Sequence, residues 1–191
     1  MTDVRVASTG VRRPSMLAVG AMVWLASELM FFGGLFASYF TIRAAAPVWP
    51  PPETHLPVLR DGIFTVVLLS SSLTMQMAHH RLEHNRRKAA RVWILVTLVL
   101  GVVFLGNQLD EWLTIEFTPS TDAFGSLFFL LTGFHGLHVI IGLLLMVGIL
   151  IRVAGPGPDP GDAPAAAVVT YYWHFVDVVW ILLYATIFLL Q

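Results

Sequence analysis

Five long apolar runs, at 16–42, 62–78, 92–109, 123–151 and 165–190, dominate this chain of 191 residues. A membrane-spanning helix needs about 20 mostly apolar residues. The second and third runs are shorter but flanked by polar residues that can extend a helix. Two proline-rich stretches, "APVWPPPETHLP" (46–57) and "AGPGPDPGDAP" (154–164), interrupt helical continuity between runs. The first run is too long for a cleavable signal peptide and carries Glu28 at its centre, so it is expected to remain in the mature protein. Hydrophobic residues make up 57% of the chain and charged residues only 12%, against roughly a quarter charged in soluble domains. The reading is an all-α, polytopic membrane protein. One membrane domain spans 1–191, with five transmembrane helices in a bundle at about 15–43, 61–82, 89–112, 123–152 and 165–190.

Composition also excludes functions. A net charge of -1 argues against a nucleic-acid partner. The absence of cysteine removes disulfides, iron–sulfur clusters and thiolate metal sites. Orientation follows from lysine and arginine. Arg5, Arg12, Arg13, Arg81, Arg86, Arg87, Lys88, Arg91 and Arg152, nine of the eleven basic residues, fall on one side of the five-span topology. Arg43 and Arg60 fall on the other, which also holds Asp110, Glu111, Glu116 and Asp122. The N-terminus is therefore expected in the cytoplasm and the C-terminus outside.

Ionisable side chains inside lipid cost several kcal/mol, so each is a functional-site candidate. The set is Glu28, His135, His138, His174 and Asp177. Counting about 1.5 Å per residue from the helix entries puts Glu28 roughly 20 Å deep and His138 roughly 22 Å deep. Their matching depth predicts that Glu28 meets the His135/His138 face between the first and fourth helices. On the fifth helix, Thr170, His174, Asp177, Ile181 and Tyr184 recur every three or four residues and share one face. That stripe must face protein rather than lipid.

Plainer readings compete. Histidines between helices often act as polar glue. Haem ligation is disfavoured, because His135 and His138 share one helix face with no matching pair opposite. The "HHRLEH" cluster, with His79, His80 and His84, has metal-ligand residue types. Beside five basic residues it reads instead as an interfacial cationic loop attracting anionic lipid, with Arg81, Arg86 and Arg87 as lipid contacts; no metal is assigned. Trp24 and Trp173 are expected at lipid or subunit interfaces, while Trp49, Trp112 and Trp180 read as ordinary interface or packing aromatics. Gly33, Gly34, Gly133, Gly136 and Gly142 would permit close helix contact. Two classes remain: a proton- or solute-conducting carrier, and a non-catalytic subunit of a larger membrane complex. A carrier would show paired halves with broken helices. The chain shows smooth, aromatic-rich spans with little extramembrane mass instead.

Four stretches, "WLASELMFFGGLFASYF" (24–40), "QLDEW" (108–112), "GFHGLHVIIG" (133–142) and "YYWHFVDVVWI" (171–181), occur in an order that resembles subunit III of the haem-copper oxidases, specifically cytochrome c oxidase. The "WPPP" at 49–52 is most similar to the actinobacterial form. The resemblance implies a subunit without cofactors in a bacterial plasma membrane, packed beside subunit I, where haem and copper reduce oxygen, and near subunit II and small subunits. It implies bound phospholipid, support of proton uptake and, for the actinobacterial form, docking to a quinol–cytochrome c reductase. By position, Glu28 matches a buried glutamate that reacts with carbodiimide in some members, and His135 and His138 match histidines of the late-bundle motif. His174 and Asp177 match a last-helix pair, and Glu111 an acid closing the third helix. Many members have seven helices; this chain is expected to begin at what would be their third, leaving a lipid-filled cleft to be completed by lipid or neighbours. Short relatives from quinol oxidases and nitric oxide reductase clusters share these motifs.

Overall fold

The computed structural model describes residues 16–52 and 54–190; Arg5, Arg12 and Arg13 lie outside the described residues. Five helices follow one another: α1 (Met16–Ala45), α2 (Val58–Glu83), α3 (Arg87–Thr114), α4 (Ala123–Ala154) and α5 (Asp162–Tyr184). A π-helical turn at Ala185–Leu189 continues α5. No strand occurs among the described residues. Five helical segments are long and apolar enough to cross a membrane. The second and third helices in particular outrun their apolar runs, because polar residues at the flanks stay helical. The fifth helix begins three residues before its expected start. Pro164 lies in its first turn, where no intrahelical N–H donor is needed, so proline does not break it.

Local chemistry sets the turns. At the end of α2 the Arg86 N–H bonds the Arg81 carbonyl at 2.8 Å and the Asn85 N–H bonds that of Leu82 at 2.9 Å. Asn85 adopts φ 55°, a left-handed conformation that asparagine tolerates better than most residues. This tight reversal makes α2 and α3 an antiparallel hairpin. Asp122 caps α4 by accepting from the Gly125 N–H at 2.7 Å, which satisfies one of the free donors of the first turn.

Helix α5 is central, packing against α1, α2 and α4. Its Tyr172, Trp173 and Trp180 are fully buried. Helices in lipid associate through van der Waals contact and hydrogen bonds, so small residues matter where backbones meet. A Cβ on Gly142 would lie 2.6 Å from the Trp173 ring, and one on Gly101 would meet Leu143 at 2.7 Å and Trp173 at 3.2 Å. These two glycines form the slot for the Trp173 indole. Gly33, Gly34 and Gly136 have no neighbour within 4 Å of such a Cβ. They do not mediate the close contact expected of them: Gly33 and Gly34 are exposed, and Gly136, although buried, has open space where a Cβ would project. Helix α1 docks on α4 and α5 through a narrow stripe in which Phe32 and Tyr39 are buried, and much of its remaining surface is exposed and apolar.

Candidate functional site

Where α1 meets α4 and α5, Glu28 Oε2 lies 3.0 Å from His138 Nε2. The side chains are 23% and 8% exposed, so the pair is largely withdrawn from the surface. The other carboxylate oxygen, Oε1, accepts from the Trp24 indole N–H at 3.0 Å, one turn back on α1. Trp24 in turn stacks on Tyr172 with ring centroids 4.9 Å apart and planes 9° from parallel. His138 is held from below as well. Its Nδ1 donates to the Phe134 carbonyl at 2.7 Å, and the Phe32 ring meets it edge-on at 5.0 Å.

This geometry fixes a proton count. A carbonyl can only accept, so His138 Nδ1 carries hydrogen. The Nε2 to Oε2 contact then requires one further proton, carried by either atom. Glutamate with imidazolium and glutamic acid with imidazole have the same composition and no net charge. A pair with no net charge is a form in which two ionisable groups can persist away from water.

His135, expected at the same contact, lies elsewhere. Three residues of helix rotate a side chain by about 300°, leaving it roughly 60° from the first. That difference turns His135 away from α1 and into the α3–α4–α5 core. It is fully buried there, with Trp180 at 4.9 Å and Phe104 at 6.0 Å between ring centroids. Neither ring nitrogen has a hydrogen-bond partner among the described residues.

The family model for cytochrome c oxidase subunit III matches residues 8–191. The chain belongs to the cytochrome c oxidase subunit III family. Among similar proteins, the probable cytochrome c oxidase subunit 3 of Nocardia farcinica is 47% identical over 185 residues, covering 95% of this chain and 91% of the relative. The corresponding protein of Mycobacterium tuberculosis is 44% identical over 186 residues, with the same coverage of 95% and 91%. The cytochrome c oxidase subunit 3 of Thermostichus vulcanus is 38% identical over 178 residues, covering 93% of this chain and 89% of the relative.

His174 and Asp177 join a second polar seam between α5 and α2. Ser72 donates to Asp177 Oδ2 and accepts from His174 Nδ1 at 3.1 Å. His174 Nε2 lies 3.4 Å from the Gln76 side-chain amide. The seam runs antiparallel along both helices: Trp173 donates to Ser71 at 2.8 Å, Trp180 to Thr65 at 2.9 Å and Tyr184 to the Val58 carbonyl at 2.9 Å. Tyr184 and the buried Thr170 belong to the packed stripe, while Ile181 is exposed. Trp173 is completely buried, which corrects its expected place at a lipid or subunit interface. Its indole fits only the slot cleared by Gly101 and Gly142.

A third polar group closes the end of the bundle where α2 begins and α3 finishes. Asn107 Nδ2 donates to Asp61 Oδ1 at 3.0 Å, and Arg60 Nε donates to Asn107 Oδ1 at 2.6 Å. Arg60 also pairs with Asp110 at 2.5 Å. Gln108 holds Glu111 Oε2 at 2.9 Å, and Asp61 and Glu111 are both buried. Sequence reasoning reached only Glu111. Asp61 sat at the edge of its apolar run, yet Asn107 and Glu111, four residues apart on α3, stand level with it across the hairpin.

Arg87 is not the free lipid contact expected. Its side chain is 13% exposed, pairs with Asp162 at 2.8 Å and donates to the Val153 carbonyl at 3.0 Å. Arg91 reaches the same carbonyl at 2.6 Å. Both arginines thus satisfy the open carbonyl end of α4, where positive charge is favoured. Arg81 is half-buried and Arg86 exposed.

Proposed function

We propose that this chain is the non-catalytic core subunit III of an aerobic cytochrome c oxidase. In this reading it packs beside subunit I, holds phospholipid and supports proton uptake and sustained turnover there. The observation that carries the reading is the Glu28–His138 contact of 3.0 Å, made across two helices and buttressed by Trp24 and Tyr172. It provides a neutral, proton-bearing polar bridge near mid-membrane. The names of the relatives favour cytochrome c over quinol as electron donor.

The distribution of basic residues supports a cytoplasmic N-terminus, an outward C-terminus and residence in the bacterial plasma membrane. A groove of about 430 Å³ lined by Ala18, Ala21, Met22, Leu25 and Tyr171 suits a lipid acyl chain beside α1. Subunit II, the small subunits and a quinol–cytochrome c reductase are further partners in this assembly. Replacing Glu28 with Gln in the purified oxidase tests the role. The assembled complex is expected to retain its haem spectrum and to lose activity faster during sustained turnover. An unchanged turnover lifetime would contradict the role of Glu28.

A further inference from the structure

The last turn of α2 carries a cluster that none of the packing above uses. His80 and His84 are four residues apart and project from the same face. Their ring centroids are 4.4 Å apart, with planes inclined by 57°. Glu83 places its carboxylate beside them, with Oε2 3.6 Å from His80 Nδ1. One ligand atom from each of His80, Glu83 and His84 lies within 4.8 Å of the other two, and all three residues are exposed.

A second observation concerns which nitrogen is free. His84 Nδ1 lies 2.9 Å from the His80 carbonyl oxygen. A carbonyl only accepts, so Nδ1 holds the hydrogen and Nε2 carries the lone pair. Metal-binding imidazoles are commonly oriented in this way, with the remaining N–H fixed by a carbonyl or carboxylate. The turn beneath is itself pinned by the Arg86 to Arg81 and Asn85 to Leu82 backbone bonds.

We infer that His80, Glu83 and His84 form a surface site for a divalent transition metal of the zinc or copper(II) type. Two imidazoles and one carboxylate suit these ions, whereas magnesium prefers an octahedral set of oxygens. Tetrahedral zinc with bonds of about 2.0–2.1 Å needs ligand atoms roughly 3.4 Å apart. The present spacing, within 4.8 Å, has to shrink by rotation of the three exposed side chains, with water completing the shell. The site also sits at the negative end of the helix dipole. Of the five basic residues nearby, Arg87 and Arg91 are directed to α4, so the loop repels a cation less than its composition implies. The assignment is independent of the proposed oxidase role.

The test is calorimetric titration of zinc into the full-length chain, purified through a tag without histidine and freed of metal. One saturable equivalent is expected, with none for magnesium. Separate His80→Ala and His84→Ala substitutions should each weaken zinc binding at least about tenfold, with helical circular dichroism unchanged. Absence of saturable zinc binding would overturn the assignment. So would a folded His80→Ala/His84→Ala double variant that binds zinc as well as the parent.

Discussion

Tyr172 on α5 donates its hydroxyl to the main-chain carbonyl of His138 on α4 at 3.0 Å. The residue that meets Glu28 is therefore fixed from a third helix, and the same tyrosine ring stacks on Trp24, which holds the other oxygen of Glu28. Three helices converge on one carboxyl group through a closed circuit of contacts. Replacing Tyr172 with Phe keeps the stack and removes only the hydroxyl. The expected cost is about 0.5–1.5 kcal/mol, read as a lower thermal midpoint of the detergent-solubilised protein.

His138→Leu removes the partner of Glu28 and leaves the carboxyl with Trp24 alone. Loss of one member of a buried pair can cost about 3–5 kcal/mol, and partial exposure of Glu28 places this case at or below the low end. The expected outcome is a reduced yield of assembled complex, with near-normal turnover per assembled enzyme. Densitometry of the purified complex beside oxygen uptake separates the two; normal assembly with uncoupled turnover would sink the structural role.

Gly142→Ala puts a methyl group against the Trp173 ring, where the present clearance is 2.6 Å. Overpacking of this kind costs about 1–3 kcal/mol. Gly33→Ala and Gly34→Ala meet no neighbour within 4 Å, so they should leave the stability of the isolated chain unchanged or slightly raised. Parallel thermal unfolding of the three variants checks the contrast.

Arg87→Met strips Asp162 of its 2.8 Å partner and withdraws donors from the end of α4. Arg152 Nε, 3.4 Å from the other oxygen of Asp162, still offsets part of its charge, so the expected cost is about 1–2 kcal/mol, below that of a fully stripped buried pair. Arg87→Lys should recover part of it, because an ammonium reproduces the charge without the planar fork of donors. Chemical denaturation of both variants provides the comparison.

Hydropathy and a rise per residue were enough to read the five helices and the matched depth of Glu28 and His138 from sequence. Both depend on distance along the membrane normal, which chain position encodes directly. Rotation about each helix axis is different, because packing decides it. His135 and His138 share the same motif, yet the 60° between them sends one into an aromatic core and the other to Glu28. Arg87 looked like one more member of a basic loop until the end of α4 supplied carbonyls for it. Asp61 looked like a flank until the α2–α3 hairpin set it beside Asn107. The serines and threonines of α2 gave no charge signal, although they receive most of the polar face of α5.

Isolation of the tagged chain in mild detergent, followed by an optical spectrum and an oxygen-uptake assay of what accompanies it, tests the central claim most directly. Co-purification of a-type haem with oxygen uptake driven by reduced cytochrome c is the expected result. Recovery of the correctly folded chain without haem, or with uptake driven only by quinol, would contradict it.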